Sequence, residues 1–146
     1  MTRMSDEDPR STVPVHEGLF TTDEDEPPRL IGGLCGSCGR HHFPLLTTCP
    51  YCSADQVQQA LLSPAGSLWG WTTVTTAPPG YLGEVPFGFG VVELPEGLRV
   101  ITRLTEAAPD QLEFGQSMQL VIAPLHTDEA GRVVVTYAFA PTGPQP

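Results

Sequence analysis

Apolar positions along this chain recur mostly with a period of two, in short runs broken by glycine and proline. The clearest run is Arg132 to Phe139, where Val133, Val135, Tyr137 and Phe139 alternate with Val134, Thr136 and Ala138. Such alternation predicts a β-strand in a sheet with one buried face. Gly66 to Thr76 is aromatic and β-branched throughout, and predicts another strand. Phe87 to Leu94 and Leu98 to Leu104 flank Pro95-Glu96-Gly97, a tight turn, and Met118 to Leu125 precedes a hairpin turn at Asp128 to Gly131. Two shorter strands are predicted upstream, Arg29 to Leu34 and Gln56 to Leu62. The last five strands carry a long loop between the first and second, and a connection at Asp110 to Gly115 between the third and fourth. That spacing suits an OB-type Greek-key barrel. An SH3-like barrel or a small sandwich fits the same pattern.

The ends read differently. Residues 1 to about 13 are polar and acidic, and predict a loose tail. Val15 to Phe20 offers a few apolar anchors for a short helical turn, Thr21 to Pro28 reads as a solvated linker or turn, and the chain from Pro141 onward as an irregular tail. Charge is uneven too: the net charge is −10, no lysine is present, and the fixed cations are seven arginines. Eight of the seventeen acidic residues fall in the first 26 positions, so the remaining body is only mildly acidic. A nucleic-acid binder normally presents a basic stripe, which argues against that class. No amino-terminal apolar run suggests export, and no stretch is long enough to span a membrane. A cytoplasmic protein is expected, with neither nucleic acid nor membrane as partner.

All four cysteines lie within eighteen positions, as Cys35-Gly36-Ser37-Cys38 and Cys49-Pro50-Tyr51-Cys52. A spacing of two residues lets both sulfurs of a pair face one point. Two such turns supply four thiolates, the closed tetrahedral set of a structural zinc site. Disulfides would need an oxidising compartment. A thioredoxin-like pair would leave the second Cys-x-x-Cys idle. Iron is the rival metal, because Cys-Pro-Tyr-Cys also looks like a rubredoxin knuckle. Four thiolates leave no open coordination position, so the metal is expected to hold structure and do no chemistry. His41 and His42 could ligate, but a filled site makes a ribbon role with one ring packed inward the better expectation.

Together these motifs resemble a known family, the zinc-ribbon/OB-fold proteins associated with acyl-CoA metabolism. The residues that carry the resemblance are Arg29-Leu30-Ile31-Gly32, the two cysteine pairs with Gly39, Phe43-Pro44, Gly66-Ser67-Leu68-Trp69, Pro86-Phe87-Gly88 and Val91 to Val100. One departure is Ser53, where the family commonly has glycine after the last cysteine. The resemblance implies a mainly β fold, a rubredoxin-like zinc ribbon followed by a five-stranded OB-fold barrel. Residues 1–28 would be an acidic flexible segment, 29–62 the ribbon, 63–141 the barrel and 142–146 a tail. It also implies a non-catalytic subunit beside a thiolase-superfamily large subunit (a thiolase, a sterol-carrier-thiolase-like aldolase or an acyltransferase). Zn2+ would be structural, and acyl-CoA would be met through the complex.

The residues agree that no catalytic set can be assembled: the cysteines are committed and no Gly-x-Ser-x-Gly serine exists. The loop from Ala77 to Phe89 is the main candidate contact, with Tyr81, Leu82, Phe87 and Phe89 beside three prolines. Tyr81 and Leu82 are expected at the surface, while Phe87 and Phe89 are expected to open the second barrel strand and point inward. Arg99 and Arg103, four residues apart on one face of the third strand, could meet a CoA phosphate or a partner carboxylate. A stand-alone acyl-CoA-binding protein and a single-strand nucleic-acid module with stacking Trp69, Trp71 and Phe89 are the alternatives from other classes.

Overall fold

The computed structural model describes residues 12–22 and 25–142; of the tails expected at residues 1 to about 13 and from Pro141 onward, 1–11 and 143–146 lie outside the described residues. Among the described residues nine strands are formed: β1 (Thr12–Pro14), β2 (Ile31–Cys35), β3 (His41–His42), β4 (Val57–Leu61), β5 (Ala65–Val74), β6 (Phe87–Glu93), β7 (Arg99–Leu104), β8 (Ser117–Thr127) and β9 (Val133–Pro141). Each predicted strand is present, with its ends moved by a residue or two. No α-helix occurs among the described residues, and none of their helices is long and apolar enough to cross a membrane.

Strands β2, β3 and β4 make a small antiparallel sheet in the order β3-β2-β4. The other sheet closes on itself: β5 pairs with β6, β6 with β7, β7 with β9, β9 with β8, and β8 returns to β5. Closure and the parallel β7–β9 pairing, Ala138 against Arg103, decide for the OB-type barrel over a sandwich. Long β5 makes closure possible because its first residues pair with β8 (Gly66 with Met118) while Ser67 to Val74 pair with β6. The register slips at Leu68/Gly70, leaving Trp69 as the extra residue of a bulge that bends the strand.

The barrel is filled by Leu68, Val92, Val100, Leu104, Met118, Leu120 and Phe139. Phe20, Leu30 and Leu62, which precede the barrel, belong to the same cluster, so ribbon and barrel share one core. Backbone bonds reinforce the junction, with Ile31 N–H donating to Leu19 C=O at 2.9 Å and Leu62 N–H to Leu30 C=O at 2.9 Å. The Arg29 guanidinium donates to the carbonyls of Leu62 (2.6 Å) and Leu61 (3.3 Å). Phe43 meets Tyr137 edge to face at 5.5 Å between centroids, and bonding of the Tyr137 hydroxyl to Ile101 C=O fixes that ring.

Three differences from the sequence reading stand out. Part of the amino-terminal segment is built in: β1 adds to the barrel edge in parallel, Thr12 opposite Val133, and Phe20 enters the core. Residues 15–20 form bends and a turn there, without the expected helical turn. The one-sided burial expected of β9 does not hold: Val134 and Val135 are both buried, as are Ala138 and Phe139, and the register slips at Val134/Val135, where Leu125 of β8 is the extra residue.

Candidate metal centre and the loop surface

Two backbone turns with the same hydrogen bonds build the cysteine cluster. In the first, Gly39 N–H donates to Cys35 C=O (2.9 Å) and Cys35 N–H to Arg40 C=O (3.1 Å). In the second, Ser53 N–H donates to Cys49 C=O (3.0 Å) and Cys49 N–H to Ala54 C=O (2.8 Å). Each turn needs a left-handed residue after its second cysteine, supplied by Gly39 at φ 77° and Ser53 at φ 69°. Serine lacks glycine's ease there, so Ser53→Gly should relieve strain of about 1 kcal/mol, less the added freedom of the unfolded glycine. The expected result is a small rise in Tm at unchanged metal content, read by thermal unfolding of the metal-loaded protein.

The four Sγ atoms of Cys35, Cys38, Cys49 and Cys52 lie within 4.8 Å of one another. Cys35 and Cys52 sulfurs are 3.6 Å apart, and those of Cys38 and Cys49 3.7 Å. Four sulfurs each ~2.3 Å from one centre would stand ~3.8 Å apart, so the cluster fits a tetrahedral metal. Amide groups point at the sulfurs as charge stabilisers: Ser37 and Cys38 N–H donate to Cys35 Sγ at 3.3 and 3.4 Å, and Tyr51 N–H to Cys49 Sγ at 3.4 Å. The Cys38 amide, before the other donors, holds the Cys35 thiol down at about 6. Cys38 goes the other way: the Arg40 amide favours its thiolate, but burial and the neighbouring sulfurs outweigh it and push the thiol up to about 11. A cation is what lets such a crowded set ionise together.

Neither histidine joins the cluster. His41 is half-buried, and buried His42 accepts from Leu46 N–H through Nε2 at 3.3 Å, bracing the loop between the knuckles. Arg40 lies over the Tyr51 ring at 4.0 Å, tying one knuckle to the other.

The loop candidates separate into two groups. Leu82 is 69% exposed. Tyr81 is half-buried, its hydroxyl donating to Glu84 C=O at 2.8 Å and accepting from Arg103. Its ring lies 5.0 Å from that of Phe87, and Arg103 covers Phe87 at 4.6 Å. Phe87 and Phe89 do not point into the barrel as expected. The inward positions of β6 are Gly88, Gly90 and Val92; a Cβ on Gly88 would come within 2.0 Å of Glu106 C=O. Phe87 is buried beneath Tyr81 and Arg103 on the outer side, and Phe89 is 38% exposed. Arg99 and Arg103 do share the outer face of β7, flanking exposed Ile101. Arg99 stacks on Trp69 at 4.1 Å and lies 3.6 Å from the Glu93 carboxylate.

One anchoring residue was read only as part of a turn. The Glu96 carboxylate accepts from Ser63 N–H at 2.7 Å, clamping the passage from ribbon to barrel onto the β6–β7 turn. Nothing local in Pro95-Glu96-Gly97 signals a partner 33 residues away.

Comparison with known proteins agrees with this architecture. Residues 23–58 match the family model described as the ChsH2 rubredoxin-like zinc ribbon domain, and residues 59–123 the ChsH2 C-terminal OB-fold domain. A DUF35 domain-containing scaffold protein of Pyrococcus furiosus is 32% identical over 114 residues, 77% of this chain and 83% of that protein. The chain belongs to the DUF35 family, of ChsH2 type. This is the family its cysteine pairs and barrel motifs resemble. A second relative of this DUF35 chain, the benzoylsuccinyl-CoA thiolase subunit BbsA of Thauera aromatica, is 30% identical over 125 residues, 85% of each chain. Among solved structures, one described as an Ltp2-ChsH2(DUF35) aldolase is similar with a TM-score of 0.60 and 26% identity, covering 77% of this chain and 84% of that one.

Proposed function

We propose that this chain is a non-catalytic accessory subunit of a thiolase-superfamily enzyme acting on acyl-CoA, with a structural Zn2+ held by Cys35, Cys38, Cys49 and Cys52. The observation that carries this reading is similarity over 85% of its length to a named subunit of a CoA thiolase. The chemistry of the chain supports it. Its cysteines, the strongest nucleophiles present, are gathered into one cluster that a metal would saturate. The large subunit therefore supplies the catalytic groups, and the small one supplies shape.

The ribbon braces the barrel through their common core, and the barrel presents the 77–89 loop to the acyl-CoA channel of the partner. Leu82 is the contact that loop offers most openly. Tyr81, Phe87 and Arg103 set its geometry through their stack. The acidic body repels CoA phosphates, leaving cofactor binding to the larger partner. The same charge disfavours nucleic acid, and a cytoplasmic location suits an acyl-CoA enzyme.

Co-expression with a thiolase-superfamily large subunit from the same genome tests the reading. The two should elute as one complex by size exclusion, and Leu82→Ala should weaken assembly or activity without changing the Tm of the free chain. Separate elution, with the large subunit turning over equally well alone, overturns it.

A further inference from the structure

The outer face of β5, β6 and β7 carries an unusual glycine. Four glycines lie in β5 and β6, and three are demanded by packing. A Cβ on Gly66 would come within 2.5 Å of Glu93 C=O, one on Gly88 within 2.0 Å of Glu106 C=O, and one on Gly90 within 2.4 Å of Gly70 C=O. At Gly70 a Cβ would meet nothing within 4 Å beyond its chain neighbours Trp69 and Trp71. Nor is Gly70 among the residues with positive φ, so the neighbouring bulge does not require it for a left-handed turn. Mid-strand glycine weakens a sheet and marks a bulge, a tight bend or a close approach, and the open space over Gly70 leaves room for an approach from outside.

The surroundings say what approaches. Gly70 pairs with Val91, which pairs in turn with Ile101, 62% exposed. Trp69 at 43% and Phe89 at 38% stand on either side. Arg99 and Arg103, two of the seven arginines of a chain with net charge −10, lie beside Ile101. Exposed tryptophan, phenylalanine and arginine around an apolar centre are the composition of a protein-binding hot spot. A second copy of this chain fits poorly, because a two-fold contact through this face would bring its own arginines together. Two cations, one of them beside Glu93, are too few for a nucleic-acid backbone.

We propose that this face is the docking surface for the large subunit, which lays an apolar ridge with acidic flanks close against the Gly70 backbone. The inference rests on the accessory-subunit reading and adds the site of contact. A side chain at Gly70 would stand the ridge off, while the free chain has room for it.

Two substitutions test this with opposite signs in the two states. Gly70→Val should raise the Tm of the free chain by about 2–5 °C, since valine suits an open strand position. In co-purification with a thiolase-type large subunit from the same genome, the same substitution should weaken assembly at least tenfold. Ile101→Asp should weaken it similarly with the free-chain Tm nearly unchanged. If wild type assembles and Gly70→Val assembles equally well, the docking face is wrong and the subunit reading stands. If Gly70→Val destabilises the free barrel, the glycine serves the fold and the inference also falls. If wild type itself fails to assemble, the broader reading has failed, and this one with it.

Discussion

Cys49→Ser is expected to abolish metal retention and unfold the ribbon, the largest effect of any single change in this chain. Cys49 is 1% exposed, and its sulfur stands 3.7 Å from that of Cys38. Its neighbour Tyr51 donates its amide to that sulfur, so the thiolate is built into the knuckle. A serine hydroxyl cannot replace a thiolate at a four-sulfur site. Apparent binding energies of structural zinc are about 10–16 kcal/mol near pH 7, at least comparable with the ~5–15 kcal/mol total stability of a domain. Metal analysis should give about one equivalent per wild-type chain and almost none for the variant. Strong chelators should mimic the variant, and acid should help them, because protons compete for four thiolates and affinity falls as pH falls. Zinc in the wild-type protein supports the assignment over iron. A metal-free protein with the wild-type Tm would refute a structural role.

Leu62→Ala is expected to follow closely, because Leu62 holds ribbon and barrel together. It is 0% exposed, packs in the cluster that includes Val92 and Phe139, and its carbonyl accepts from Arg29 at 2.6 Å. Truncating a fully buried leucine costs about 2–5 kcal/mol, since the transfer term is lost and a cavity remains. At this chain length that is a Tm drop of roughly 6–15 °C. A shared core also predicts a single unfolding transition for the metal-loaded protein, in wild type and variant alike. Thermal melts followed separately by far-UV signal and by metal release should coincide. A ribbon that releases metal well before the barrel melts would show two independent units, contrary to the common core.

Much of this was legible in the chain because the governing forces are local. The period-two pattern specified where strands lie, since alternation along a pleated strand is a property of a few consecutive residues. Gly39, Cys35 and Cys38 announce a knuckle within five positions, and Cys49 to Ser53 repeat it. Inward and outward sides were less secure. Phe87 and Phe89 look like core aromatics, yet the small positions Gly88 and Gly90 face the interior because Leu104 and the backbone of residue 106 come too close for larger groups. That closeness arises from barrel closure and from the bulge at Trp69, neither of which alternation in β6 can reveal. The parallel seat of Thr12–Pro14 beside Val133–Val135 joins segments from nearly opposite ends of the chain. Three short residues carry no local signal for such a pairing. The Glu96 clamp on Ser63 is of the same kind, a hydrogen bond whose partner only folding brings near. Nor could the chain distinguish Gly70 from Gly88 and Gly90, which read alike as strand glycines. Only the space around each Cβ position separates a glycine the barrel needs from one it leaves open.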